Sequence, residues 1–177
     1  MIADKIISIA QTYLGEQEIL GNKGFKDPQF QKFMESNGWY MGAPWCMFLS
    51  KGIFATAYQQ SKYCHYVKTA FTGNALATYY QVAHDGIFKV SSTPIPGAIV
   101  IFKEGTDPAK HEGHAGIITE IGDASYGRYF QSIEGNTSGT DPNIREGYIV
   151  AEKKHTLVLP PDPHGLNIIG FIIPNEP

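Results

Sequence analysis

The chain has 177 residues, of which 42% are hydrophobic and 18% charged, and its formal net charge is -3 at pH 7. This balance supplies a buried core and excludes a disordered chain, and an acidic chain lacks the basic face that nucleic-acid-binding proteins need. We therefore expect a single domain over residues 1–177, with no apolar run of the roughly 20 residues that cross a bilayer.

The first half of the chain predicts helices. Residues 4–14 carry an apolar stripe at helical spacing, and residues 27–38 combine an Asp-Pro start with an Asn-Gly stop. A third helix is expected after the turn at 42–44, because apolar residues in 45–56 recur at steps of three and four. A fourth helix is expected over residues 74–83.

The second half of the chain predicts strands, which we place at residues 98–102, 113–121, 128–134, 148–151 and 167–173. Residues 122–127 are expected to form a long hairpin loop, and the Pro-rich residues 154–166 a further loop. Helices followed by an antiparallel sheet make an α+β fold.

Cys46 lies at the start of the third predicted helix. Backbone N–H groups at a helix start have no intrahelical partner, and the helix dipole is positive there. Both effects favour the thiolate, which is the nucleophilic form of cysteine. The turn at 42–44 is expected to keep the sulfur accessible. The competing interpretation is a small buried apolar residue.

His114 lies near the start of a predicted strand, beside two glycines that leave open space around it. If the two hairpin strands pair where they leave the loop, His114 lies opposite residue 135, give or take a bulge. Glu134 and Asn136 flank that position and alternate onto one face. Either side chain can accept the imidazole N–H and orient the ring. The competing interpretation is a set of ordinary strand and turn residues.

Five segments of the chain resemble the CHAP family, the cysteine- and histidine-dependent amidohydrolases/peptidases that cut bacterial peptidoglycan. The matching segments are YLGEQE at 13–18 with GN at 21–22, GAPWCMF at 42–48, PGAIVIF at 96–102, GHAGI at 113–117 and IEGNT at 133–137. The resemblance implies Cys46 as nucleophile, His114 as base and Glu134 as the orienting residue. Asn136 is implied as a neighbouring polar group.

Two positions of the resemblance carry no assigned role. Glu18 matches the N-terminal motif, and Ala98 stands where the family usually has Asp. Ala98 therefore removes one carboxylate from the region of the site.

The resemblance implies a papain-like, CHAP-type fold with N-terminal helices packed on a C-terminal antiparallel sheet. It implies a monomeric cysteine peptidase or amidase that needs no cofactor or metal and acts on the peptide stems of peptidoglycan. The bond cut is that of an N-acetylmuramoyl-L-alanine amidase or of a stem or cross-bridge endopeptidase. Neither nucleic acid nor membrane insertion is expected.

The first residues lack the basic stretch, apolar region and cleavage site of an export signal. We therefore expect a protein that reaches the cell wall by release or delivery from the cytoplasm, as a phage endolysin or an effector does, or a trimmed domain of a secreted enzyme.

Three alternatives remain open at this point. A zinc-dependent amidase could use His111 and His114, with Cys46 as a further ligand. A module of the same fold could bind the cell wall without catalysis. An acyltransferase could use the same three residues with an amine in place of water. Cys64, in contrast, is expected to be structural, because nothing places it at a helix start.

Overall fold

The computed structural model describes residues 1–125, 127–139, 147–157 and 161–177. Residue 126 of the expected hairpin loop and residues 158–160 of the expected Pro-rich loop lie outside these ranges. Within the described residues, five helices precede a six-stranded antiparallel sheet. This arrangement confirms the predicted α+β class.

Five helices make up the first half of the described chain: α1 (Ile2–Thr12), α2 (Pro28–Ser36), α3 (Cys46–Ala57), α4 (Tyr63–Ala70) and α5 (Ala75–Asp85). Local capping explains two of the predicted starts. The Asp27 carboxylate accepts backbone hydrogen bonds at the start of α2, and Asn74 does the same for α5. Helix α4 was not predicted, although Tyr63, Tyr66 and Val67 follow helical spacing and pack on the core.

The six strands are β1 (Lys89–Ser91), β2 (Ile99–Glu104), β3 (Gly113–Ala124), β4 (Gly127–Thr137), β5 (Ile149–Thr156) and β6 (Leu166–Ile173). Their order in the sheet is β1-β6-β2-β3-β4-β5. The short edge strand β1 was not predicted. It pairs only with β6, at the far end of the sheet from β5.

Two predicted loops are wrong in extent. The predicted loop at 122–127 is mostly strand, since Gly122 pairs with Tyr129 and the ladder runs on to Ala124 and Gly127. Gly127 has a φ of 113°, a conformation that glycine adopts without strain. The predicted loop at 154–166 also begins too early, because β5 pairs with β4 as far as Thr156.

The register of the β3–β4 hairpin differs by one residue from the simple expectation. Gly116 pairs with Glu134, whereas pairing directly from the expected loop would put residue 115 there. The shorter turn and a bulge between Ile118 and Glu120 account for the difference. The glutamate therefore lies diagonally across from His114.

Helix α3 is the central element of the core. It packs on α1 and on strands β3 and β4, and ten of its twelve residues are buried. Strand β4 approaches it closely, because a Cβ at Gly135 would lie 2.5 Å from the Trp45 ring. A second apolar cluster includes Phe102, Phe130 and Phe171 and is formed mainly by residues of the sheet. None of the described helices has the length and apolar character that crossing a bilayer requires.

Candidate active site

Cys46 is the first residue of α3 and follows the N-cap residue Trp45, as predicted. Only 5% of it is exposed, yet it borders an open cleft of about 850 Å³ that Ala43 and Pro44 also line. The turn that leads into the helix uses Gly42 at a φ of 92°. The backbone N–H of Cys46 has no preceding turn of helix to bond to. A sulfur and a free donor thus lie together beside the cleft.

His114, the second residue of β3, lies between the cysteine and the glutamate. Its Nε2 atom is 2.8 Å from Oε2 of Glu134, and its side chain is 13% exposed. The Cys46 side chain is the other group that acts on the ring, and it raises the pKa of His114. Because Nε2 contacts Glu134, Nδ1 is the ring nitrogen left for the sulfur.

Glu134 is 1% exposed, so its carboxylate lies in the protein interior. The residue opposite it on β3 is Gly116. A Cβ at Gly116 would lie 2.5 Å from Cγ of Glu134, so any larger residue would force the glutamate side chain or the strand to move. Glycine at this position is therefore what lets the glutamate side chain cross the strand toward His114.

Cys46 and Glu134 stabilise the charged form of His114, and His114 stabilises the charged form of Glu134. Burial lowers the pKa of His114, but the charge and hydrogen bond of Cys46, and then those of Glu134, outweigh burial and raise this pKa to about 10. Burial likewise raises the pKa of Glu134, but hydrogen bonds and charge from His114 and His155 lower it to about 2. The site therefore favours an imidazolium next to a carboxylate at neutral pH.

His155 is the residue of the site that the sequence interpretation missed. Its Nε2 atom lies 2.6 Å from Oε1 of Glu134, and the Ser132 hydroxyl donates to the same oxygen at 2.6 Å. The prediction of a loop from residue 154 onward hid this contact. A signal was present, because residues 148–159 contain neither Gly nor Pro and can continue a strand.

Asn136 lies two residues beyond Glu134, at the end of β4. Its φ is 53°, and the pairing of β4 with β5 is irregular between Glu134 and Thr137. In the described part of the chain, no hydrogen bond joins its side chain to Cys46, His114 or Glu134. Strand alternation does not extend through such an irregularity, so a role for Asn136 stays a prediction.

Glu18 supports helix α3 from the N-terminal segment. It is 2% exposed, and its Oε2 atom accepts a 2.7 Å hydrogen bond from Nε1 of Trp45. Trp45 immediately precedes Cys46, so this buried pair helps to fix where α3 begins. Ala98 lies apart, in the apolar cluster with Val100 and Phe102.

The residues of the zinc alternative do not fit a metal ion. His111 lines the cleft, but within the described ranges no three His, Cys, Asp or Glu residues lie close enough to hold one. Nε2 of His114, moreover, is engaged by Glu134. Cys64 is the second residue of α4, so the expectation that it lies away from a helix start is wrong. Its sulfur is 3.9 Å from the Ala55 carbonyl oxygen.

Comparison with known proteins identifies the family. The chain matches the family model described as the CHAP domain over residues 38–136. No curated protein and no solved structure matches the chain. The family match begins before α3 and ends within β4, so it includes Cys46, His114 and Glu134. Because it spans more than half of the sequence, the chain belongs to the CHAP domain family.

Proposed function

We propose that this protein is a peptidoglycan hydrolase that cleaves an amide bond with Cys46 as its nucleophile. The observation that carries the proposal is the placement of His114 next to both Cys46 and Glu134, with 2.8 Å between its imidazole and the carboxylate. The CHAP domain family, to which the chain belongs, acts on peptidoglycan. The site of action that follows is the bacterial cell wall.

The first half of the reaction transfers an acyl group to the enzyme. The Cys46 thiolate attacks the carbonyl carbon of the amide, and the backbone N–H of Cys46 donates to the oxyanion that forms. The His114 imidazolium then gives a proton to the leaving nitrogen as the C–N bond breaks. The amine departs, and a thioester to Cys46 remains.

The second half releases the acyl group. Neutral His114 takes a proton from water while the water oxygen attacks the thioester carbonyl. The C–S bond breaks, the product leaves as a carboxylic acid, and the thiolate–imidazolium pair is restored. Glu134 stays ionised throughout and stabilises the imidazolium in both halves.

The cleft has the dimensions expected for the substrate. Its volume of about 850 Å³ is within the roughly 300–1,000 Å³ of ligand sites in proteins. Tyr40, which is 67% exposed, offers an aromatic face at the rim. Lys110 and Glu112, also on the rim, present charges of both signs, as suits a peptide stem with carboxylate and amine groups.

Replacement of the nucleophile tests the proposal. We expect Cys46→Ala to abolish the clearing of purified cell walls, whereas Cys64→Ala, the matched control on α4, clears them like the wild type. Undiminished clearing by a folded Cys46→Ala protein would exclude the mechanism. A wild type that binds walls without clearing them would instead indicate the non-catalytic module.

Mass spectrometry of the released fragments identifies the bond. A new free amino terminus on the L-alanine of the stem indicates the N-acetylmuramoyl-L-alanine amidase. Cleavage within the stem or cross-bridge indicates the endopeptidase. Added amines that appear in the products in place of water indicate acyl transfer.

A further inference from the structure

We propose that His155 is a positioning residue of the active site, which holds the Glu134 carboxylate in the orientation that faces His114. The inference concerns the same site as the proposed function and rests on that function only where hydrolysis is measured. Neither the CHAP resemblance nor the match over residues 38–136 includes this histidine.

The two oxygens of Glu134 have different partners. Oε2 faces Nε2 of His114 at 2.8 Å. Oε1 receives both the His155 imidazole at 2.6 Å and the Ser132 hydroxyl at 2.6 Å. Rotation of the carboxylate would break all three contacts at once. His155 and Ser132 thus fix the plane of the group that orients His114.

The hydrogen bonds also fix where the proton of His155 lies. An ionised carboxylate only accepts, so Nε2 of His155 must carry hydrogen. Both the Nε2–H tautomer and the protonated ring meet this need. For a carboxylate that is 1% exposed, such donors replace the water lost on burial.

The His155 ring packs against two aromatic side chains. Its centroid lies 4.9 Å from that of Phe102 and 5.2 Å from that of Phe130, with the latter pair stacked. His155 also pairs with Phe130 across the β4–β5 ladder. Packing therefore fixes the ring independently of its hydrogen bond to Glu134, as a positioning residue requires.

The groups that act on Glu134 come from every neighbouring element. His114 approaches from β3 with Cys46 of α3 behind it, and His155 approaches from β5. Lys153, on the same strand as His155, is engaged elsewhere, because its ammonium donates to the Ser138 carbonyl oxygen at 2.6 Å.

Two amide substitutions separate the hydrogen bond from the bulk of the ring. In His155→Gln the side-chain amide reaches the former position of Nε2 and can still donate to Glu134. In His155→Asn the amide reaches only the position of Nδ1, so the bond is lost while the side chain stays polar. His84→Asn, at a side chain that is 85% exposed, is the control for losing a histidine.

The primary measurement is the NMR titration of His114 in protein labelled with ¹⁵N-histidine. We expect His155→Asn to lower the His114 midpoint by about one pH unit or more, while His155→Gln and His84→Asn leave it within a few tenths of a unit. On wall fragments, kcat falls roughly tenfold to a hundredfold in the Asn variant, the size of a hydrogen bond to a charged group. KM changes little, because His155 does not line the cleft.

An unchanged His114 titration midpoint in a folded His155→Asn protein overturns the proposal. An equal lowering of that midpoint in the Asn and Gln variants also overturns it. If the Asn variant does not fold, His155→Phe takes its place, because a phenyl ring keeps the contacts with Phe102 and Phe130 but has no donor. The titration does not need turnover. If the wild type cleaves no wall polymer while the midpoint still shifts, the proposed function fails and the positioning role stands.

Discussion

Substitution of Glu134 by Gln removes one negative charge from the site while it keeps the size of the side chain. The carboxylate and the Cys46 side chain together raise the pKa of His114 from 6.5 to about 10, against burial. Removing one of these two partners leaves the buried imidazolium partly uncompensated. A lost partner of a buried ion pair costs about 3–5 kcal/mol.

Because Cys46 still acts on the ring, we expect the lower end of that range, about 3 kcal/mol. That free energy corresponds to about two pH units in the titration of His114 and to roughly a hundredfold in kcat. The imidazolium is the proton donor to the leaving amine, so activity declines where His114 loses its proton. The alkaline limit of kcat therefore moves from near pH 10 in the wild type to near pH 8 in Glu134→Gln.

The assay is the pH dependence of kcat on a soluble wall fragment, measured together with the NMR titration of His114. Glu152→Gln is the matched control, since this residue lies exposed on the neighbouring strand β5. An alkaline limit that stays near pH 10 in folded Glu134→Gln would refute the reasoning, because the carboxylate would then contribute nothing to the charge on His114.

Three further predictions follow from the geometry of the site. Gly116→Ala places a methyl group 2.5 Å from Cγ of Glu134. We expect kcat to fall at least about tenfold, in a protein that circular dichroism shows to be folded. An unaltered kcat would contradict this. Glu18→Gln weakens the 2.7 Å hydrogen bond from the Trp45 indole and should lower the free energy of unfolding in urea by about 1–2 kcal/mol. An unchanged midpoint of the urea transition would argue against a role of Glu18 in supporting α3. The melting temperature falls as acid protonates Glu134, from its ordinary pKa of 4.5 down to about 2. It also falls as His114 loses its proton between its ordinary 6.5 and about 10. Glu134→Gln should flatten the acid limb, and an equally steep limb in that variant would contradict the assignment.

The features predicted well from the sequence are those with local causes. Asp27 caps α2 through its own neighbours, and Cys46 begins α3 where the apolar spacing of the helix begins. The facing of His114 and Glu134 was also predictable, because antiparallel pairing in one hairpin relates the two positions. Only the register differed, because the turn is shorter than expected and the bulge between Ile118 and Glu120 reverses only part of the shift.

The missed features depend on contacts between distant parts of the chain. His155 reaches Glu134 from a strand that the predicted loop cut short. Glu18 is 27 residues from its partner Trp45, and nothing near Glu18 in the sequence indicates an indole. Helix α4 is an exception, because the helical spacing of Tyr63, Tyr66 and Val67 is visible in the sequence and was overlooked.

The two cysteines of the chain allow the central claim to be tested within one molecule. Cys46 is buried while Cys64 is half-buried, so exposure alone predicts that a thiol reagent labels Cys64 first. Both cysteines lie in the first turn of a helix, so activation of Cys46 by His114 is what predicts the reverse order. The measurement is peptide mass spectrometry after limiting iodoacetamide at pH 7, on the wild type and on His114→Ala. We predict that Cys46 is labelled first and that wall clearing is lost at the same rate. In His114→Ala, Cys46 should no longer be labelled faster than Cys64. Preferential labelling of Cys64 in the wild type, with wall clearing intact, would contradict the account.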